Sequence, residues 1–168
     1  MWQSFVSEYN GQIKLKSFLW QKSVWIGGVE QSGPLVEAVW KKGLEKVSAK
    51  ECHRVLILGL GCGLAAKLVA KKFPVTEITG VEIDPVMIDL GKKYFGLDKI
   101  PNLEVVIADA KRYQTKHKFD LILVDAYKGQ KEASVGDCRR YLKKGGEILI
   151  NYFEPEKNFS NRIDRITF

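Results

Sequence analysis

From Arg54 onward, short continuous apolar runs alternate with stretches whose apolar positions recur every third or fourth residue. Val55–Leu58, Thr76–Glu82, Leu103–Ile107, Asp120–Val124 and Glu147–Tyr152 read as strands. Leu64–Phe73, Val86–Tyr94 and Lys131–Leu142 read as helices, with a short helix or turn near Ala110–Thr115 and a turn at Gly145-Gly146. Apolar strands separated by amphipathic helices imply a mostly parallel sheet covered on both faces, a doubly wound α/β fold. Right-handed crossovers give the strand order 3-2-1-4-5, with a ligand crevice beside the first strand.

The two ends of the chain follow other patterns. Gly11–Leu19 alternates, Gln21-Lys22 turns and Ser23–Ile26 returns, giving a small aromatic β-hairpin within an N-terminal segment, residues 1–32. The main domain, residues 33–168, opens with a helix from Pro34 that Ser32 can cap. Its apolar stripe is Leu35, Val36, Val39, Trp40, Leu44 and Val47. Beyond Phe153 only Glu154 to Phe168 remains, room for one short helix or strand. A shortened C-terminus would leave the edge of the fifth strand in need of cover. A symmetric homodimer is therefore expected, built on the hairpin or on Phe159, Ile163, Ile166 and Phe168.

Composition narrows the picture only a little. With 168 residues, 45% hydrophobic and 28% charged, the chain reads as one ordinary globular domain. No stretch is long and apolar enough to span a bilayer, and Met1 to Phe5 lacks the basic segment of a secretion signal. No membrane partner is expected, and a cytoplasmic location is. Cys52, Cys62 and Cys138 are odd in number and show no C-x-x-C spacing; with only His53 and His117 beside them, no zinc site or disulfide framework is expected. The net charge of +7 is spread over lysine pairs at 41-42, 71-72, 92-93 and 143-144 rather than massed in one tract. That pattern fits solvated helix faces and leaves a nucleic-acid partner unsupported.

The chemistry concentrates where the first apolar strand meets Gly59-Leu60-Gly61-Cys62-Gly63. A glycine-dense turn between strand and helix brings bare backbone and free N–H groups up to a ligand. A dinucleotide fingerprint needs a small residue three positions after Gly61, and Leu64 stands there. Glu82 closes the second strand, roughly twenty residues after Gly61, where a carboxylate can accept both hydroxyls of a ribose. Pro85 suits the first turn of the next helix. Asp109 closes the third strand, where it can either accept from an exocyclic amine or cap the short helix after it.

These motifs resemble the class I S-adenosylmethionine-dependent methyltransferases, and in particular the spermidine synthase-like members, a Rossmann-like family. The likeness covers most of the chain: Val55 to Asp125 is similar to the cofactor half, and Val24 to Gln31 to the end of the N-terminal hairpin. It implies that Gly59, Gly61 and Gly63 wrap the cofactor's methionine and ribose, with Gln31 near its tail. Glu82 and Ile83 would then hold the ribose end, and Asp109 and Ala110 the adenine. Asp125, after the fourth strand, matches the aspartate that takes a proton from the attacking amine in spermidine synthases. It is the expected catalytic residue and part of the cofactor site, with Tyr127 in the substrate pocket.

The sequence also departs from that pattern. Polyamine-making enzymes carry a second aspartate three residues after the first; here that position is Lys128, a cation facing a dicationic substrate. Catechol-type O-methyltransferases use a similar D-A-x-K stretch to ligate a metal, but the second aspartate of that pattern is missing, so no metal is expected. Three functions follow. The first is methyl transfer from S-adenosylmethionine to a small-molecule acceptor. Its alternatives are aminopropyl transfer from decarboxylated S-adenosylmethionine to an unusual amine, or a non-catalytic nucleotide-binding or dimerisation module.

Overall fold

The computed structural model describes residues 1–128, 131–132, 137–154 and 160–167. Strands β1 (Trp2–Ser7), β2 (Gly11–Phe18), β3 (Gln21–Ile26) and β4 (Val29–Ser32) form an antiparallel meander, so the expected hairpin is half of a four-stranded sheet. Its first two-residue turn is Leu19-Trp20 rather than Gln21-Lys22, since Phe18 pairs with Gln21. Alternation along β2 and β3 buries Ile13, Leu15, Val24 and Ile26.

Helix α1 (Pro34–Glu45) follows, and Ser32 does not cap it. Ser32 belongs to β4, and Glu30 Oε1 accepts from the Leu35 and Val36 N–H groups at 2.8 and 3.4 Å instead. Leu35, expected on the apolar stripe, is exposed, whereas Trp40 is completely buried.

The main sheet contains β5 (Arg54–Leu58), β6 (Glu77–Glu82), β7 (Leu103–Ile107), β8 (Phe119–Val124), β11 (Leu142–Glu154) and β12 (Ser160–Thr167). A small antiparallel pair, β9 (Tyr127–Lys128) and β10 (Lys131–Glu132), lies between β8 and β11 in the chain. The main-sheet order is β12-β11-β8-β5-β6-β7, with β12 antiparallel to β11 and the other neighbours parallel. The expected run of five strands is therefore present, with a sixth added. That addition corrects the open-edge expectation, because β12 pairs with β11 from Glu147 to Glu154. Ile163 is buried and Ile166 half-buried, while Phe159 and Phe168 lie outside the described residues.

Helices α1, α2 (Leu64–Lys72) and α3 (Pro85–Leu90) share one apolar cluster against Val55, Ile57, Leu121, Leu123 and Leu149. The opposite face, with Leu56, Ile122, Val124 and Ile148, packs on Cys138 and Tyr141 of a short 3-10 turn (Cys138–Tyr141) and on Tyr113. The helix expected over Lys131–Leu142 is absent from its described part, which is β10 and that turn; residues 133–136 lie outside the described residues. Gly145-Gly146 is likewise an irregularity inside β11 rather than a turn before it. The helix expected to reach Tyr94 changes to a π turn at Gly91–Phe95. A Cβ on Gly91 would lie 3.0 Å from the Cys62 carbonyl oxygen, a tight contact across the turn. No helix among the described residues is long and apolar enough to cross a membrane.

Asp84 fastens the two sheets together. Fully buried, it caps α3 by accepting from the Val86 N–H at 2.9 Å. Its other oxygen accepts from Ser7 Oγ at 2.5 Å and Asn10 Nδ2 at 2.6 Å, both at the β1–β2 turn. Asp84→Ala should lower the free energy of unfolding by about 2 kcal/mol, the cap plus an orphaned buried hydroxyl. Equilibrium urea denaturation checks it.

Candidate active site

The turn after β5 is held by two bonds to one carbonyl: the Gly59 and Leu60 N–H groups both donate to the Val81 carbonyl at 2.9 Å. Its three glycines do different work. A Cβ on Gly59 (φ 91°) would lie 2.4 Å from the Asp125 carbonyl oxygen, and one on Gly63 (φ 90°) 2.3 Å from Leu97 Cδ1. At both positions a side chain would collide with the packed fold. Only Gly61 opens outward, its nearest neighbours being Ser32 Oγ at 3.8 Å and Met87 Cε at 3.9 Å. The end of β4 thus meets the glycine turn, which places Gln31, the residue before Ser32, on the strand bordering the crevice.

Glu82 ends β6 buried. One carboxylate oxygen accepts from the Gly61 N–H at 2.7 Å and the other from the Asp84 N–H at 3.0 Å. Burial pushes its carboxyl above the ordinary range, and these N–H bonds, with one from Ile83, pull it back. Three donors on two oxygens leave one lone pair for a further donor. Cys62, inside the turn, is no candidate nucleophile, since burial drives its thiol up to about 12.

Asp109 follows β7, and one of its oxygens accepts from the Lys111 N–H at 2.9 Å while its carbonyl accepts from Arg112 and Tyr113. The capping contact is therefore present, over a turn at residues 110–112 where a short helix was the alternative. Ala108 N–H also donates to the Glu82 carbonyl at 2.9 Å, so Asp109 and Ala110 leave the sheet beside Glu82.

Asp125 leaves β8 with its N–H bonded to the Leu58 carbonyl at 2.8 Å, which seats it beside the glycine turn. The residue is half-buried, but its carboxyl group is enclosed: Oδ2 accepts from Trp40 Nε1 at 2.8 Å and Oδ1 from Asn151 Nδ2 at 2.7 Å. Burial raises its pKa to about 7 against the pull of the Asn151 and Trp40 donors, and the Glu82 charge adds to the rise. Neither Trp40 nor Asn151 is legible as a site residue from the sequence. The available signal was an indole N–H on the buried stripe of α1, which must find an acceptor. The Tyr127 side chain lies outside the described residues.

A separate cavity of about 460 Å³ opens at the amino ends of the strands, lined by Arg54, Glu77, Asn102, Glu104 and His117. Its Arg54 and Glu77 are already ion-paired at 2.9 Å, and it contains none of the glycine-turn groups. The candidate site is therefore the carboxyl end of the sheet, where Gly61, Glu82, Asp109 and Asp125 converge.

Comparisons with known proteins agree with this geometry. The family model described as methyltransferase domain matches residues 55–146. The chain is 28% identical over 121 residues to the polyamine aminopropyltransferase of Vibrio vulnificus, covering 65% of this chain and 40% of that one. It is 31% identical over 117 residues to malonyl-[acyl-carrier protein] O-methyltransferase 1 of Ilyobacter polytropus, covering 68% and 43%. The matches thus span less than half the length of these relatives. Spermidine synthase from Thermotoga maritima shares the fold, with a TM-score of 0.73 at 21% identity over 91% of this chain and 57% of that one.

Gly59→Ala should lower the free energy of unfolding by about 3 kcal/mol or more, since its methyl group would meet backbone that cannot move aside. Thermal unfolding of the purified variant measures it.

Proposed function

The chain belongs to the methyltransferase domain family, and from that premise we propose that it transfers a methyl group from S-adenosylmethionine to a small-molecule acceptor held beside Asp125. The observation that carries the reading is the buried Glu82 carboxylate bonded to the Gly61 N–H at 2.7 Å, at the end of the second parallel strand. An open backbone cradle and a fixed acceptor for a ribose then stand in one crevice. The residues fit the cofactor: Gly61 leaves room, Glu82 takes the ribose hydroxyls, and Asp109 offers an acceptor to the adenine amine. When bound, S-adenosylmethionine supplies a methyl carbon already activated by a sulfonium. The chain's own task is to position the acceptor and exclude water. Asp125, ionised, takes the acceptor's proton on a carboxylate oxygen, while Trp40 and Asn151 fix the plane of that carboxylate.

Aminopropyl transfer from decarboxylated S-adenosylmethionine is the second reading. The aminopropyltransferase relatives and the position of Asp125 favour it, and Lys128 opposes it for a diamine such as putrescine. Titration calorimetry with the two cofactor forms separates the readings: methyl transfer expects the carboxylated form to bind more tightly, and putrescine turnover to be poor.

Glu82→Ala should weaken binding of S-adenosylhomocysteine about ten- to a hundredfold, the equivalent of one or two hydrogen bonds to a charged group. Unchanged affinity in a folded variant would put the ribose elsewhere.

A pH dependence follows from Asp125. Its proton acceptor form appears as pH rises through about 7, so kcat should rise across that value. Trp40→Phe deletes a donor that favours the charged form. The pKa of Asp125 should climb, and the ascending limb should move to higher pH. A limb that stays in place would remove Asp125 from the proton's path.

A further inference from the structure

The N-terminal sheet has two tight turns of two residues, and they are built from opposite materials. Ile26 pairs with Val29 across Gly27-Gly28, whose φ angles of 58° and 82° are the ones such a turn demands. Phe18 pairs with Gln21 across Leu19-Trp20, and Leu19 is held at φ 52°. Glycine or asparagine is the ordinary occupant of that first position. Here a leucine adopts a backbone conformation that L side chains rarely take, and gains no burial for it. Leu19 is 76% exposed, Trp20 92% and Phe18 65%, so three successive large apolar side chains stand in water at the apex. Backbone strain combined with apolar exposure indicates a surface kept for contact.

The charge around the apex defines what it can contact. Lys14 and Lys16 are exposed on β2, and Lys22 is half-buried two residues past the turn. Trp2, 55% exposed, pairs with Lys16 across the strands, and the ammonium lies 5.5 Å from the centre of its ring. No acidic residue occurs between Tyr9 and Val29. Glu8 sits in the β1–β2 turn, at the far end of those strands. A second copy stacked symmetrically on this face would set these lysines against each other. The complementary surface is anionic, and it must also accept a projecting aromatic wedge.

We propose that the β2–β3 turn is an attachment point for an anionic bilayer surface, with Phe18, Leu19 and Trp20 entering the interface between headgroups and acyl chains and Lys14, Lys16 and Lys22 facing acidic headgroups. Tryptophan, phenylalanine and leucine next to lysine are the side chains that partition there, and the attachment needs no spanning helix. Peripheral attachment does not depend on which group the enzyme transfers.

The test uses the whole chain and two vesicle preparations, phosphatidylcholine alone and phosphatidylcholine with about three parts in ten phosphatidylserine. The protein should sediment with the second and scarcely with the first, with a blue shift of tryptophan emission, and a rise in salt should release it. The double variant Leu19→Gly, Trp20→Ser puts glycine where the positive φ needs it, so its fold is retained, and thermal unfolding verifies that. Its bound fraction should fall about tenfold. Equal sedimentation of the two proteins overturns the proposal. So does a doubling of mass in light scattering that only the unmodified apex supports, which would assign the surface to a second copy. Apex-dependent retention of a single-stranded oligonucleotide would assign it to nucleic acid and overturn it as well.

Discussion

Two carboxylates leaving the end of one strand, Glu82 and Asp84, have to be buried, and the rest of the structure is arranged to make that possible. A carboxylate removed from water is costly unless donors replace its hydration. The donors come from every quarter of the chain: the glycine turn after β5, the first turn of α3, and the β1–β2 turn more than seventy residues away in sequence. Satisfying one acid therefore shapes the crevice at the glycine turn, and satisfying the other seats the N-terminal sheet on the main one. The crevice and its wall share an origin.

Asp125 follows the same logic after β8, which β5 separates from β6 in the sheet. Its donors are side chains of α1 and β11 rather than backbone. Two N–H groups offset only part of the burial cost, which leaves the acid with a proton affinity near neutrality. Glu82 is likewise held above the ordinary carboxyl range by burial, against the opposing pull of the Asp84, Gly61 and Ile83 N–H groups.

How much of this was legible in the sequence depends on the range of the interaction. The run Val55–Leu58, its glycine turn and Glu82 are local patterns, and the strand and turn fall where periodicity and punctuation put them. The order of five strands follows from handedness rules that act between neighbours. What escaped was tertiary. Trp40 and Asn151 lie 85 and 26 residues from Asp125, and nothing in either local pattern names the acid as partner. Residues 160–167 place Ile163 and Ile166 three apart, a helical interval, yet the unpaired edge of β11 takes them as a strand. Gly59 and Gly63 illustrate a subtler limit: their glycine identity was legible, but the atoms a side chain there would meet, the Asp125 backbone and Leu97, were not.

The way α1 is finished has a consequence for the order of folding. Lys46, at the end of the helix, donates to the Ile163 carbonyl at 2.5 Å, while Arg165 donates to the Lys46 carbonyl at 2.5 Å. Gly43 leaves the gap that Ile163 fills, a Cβ there falling 2.5 Å from Ile163 Cδ1. The seat of an early helix is thus made by residues nearly 120 positions later. The end of α1 around Gly43 and Lys46 is therefore completed only once β12 has been made, although the rest of its stripe packs on β5 and α2. Contacts of such long sequence separation make for slow closure and a long window of exposure. A chaperone that shields that end of α1 would cover the gap that Ile163 later fills.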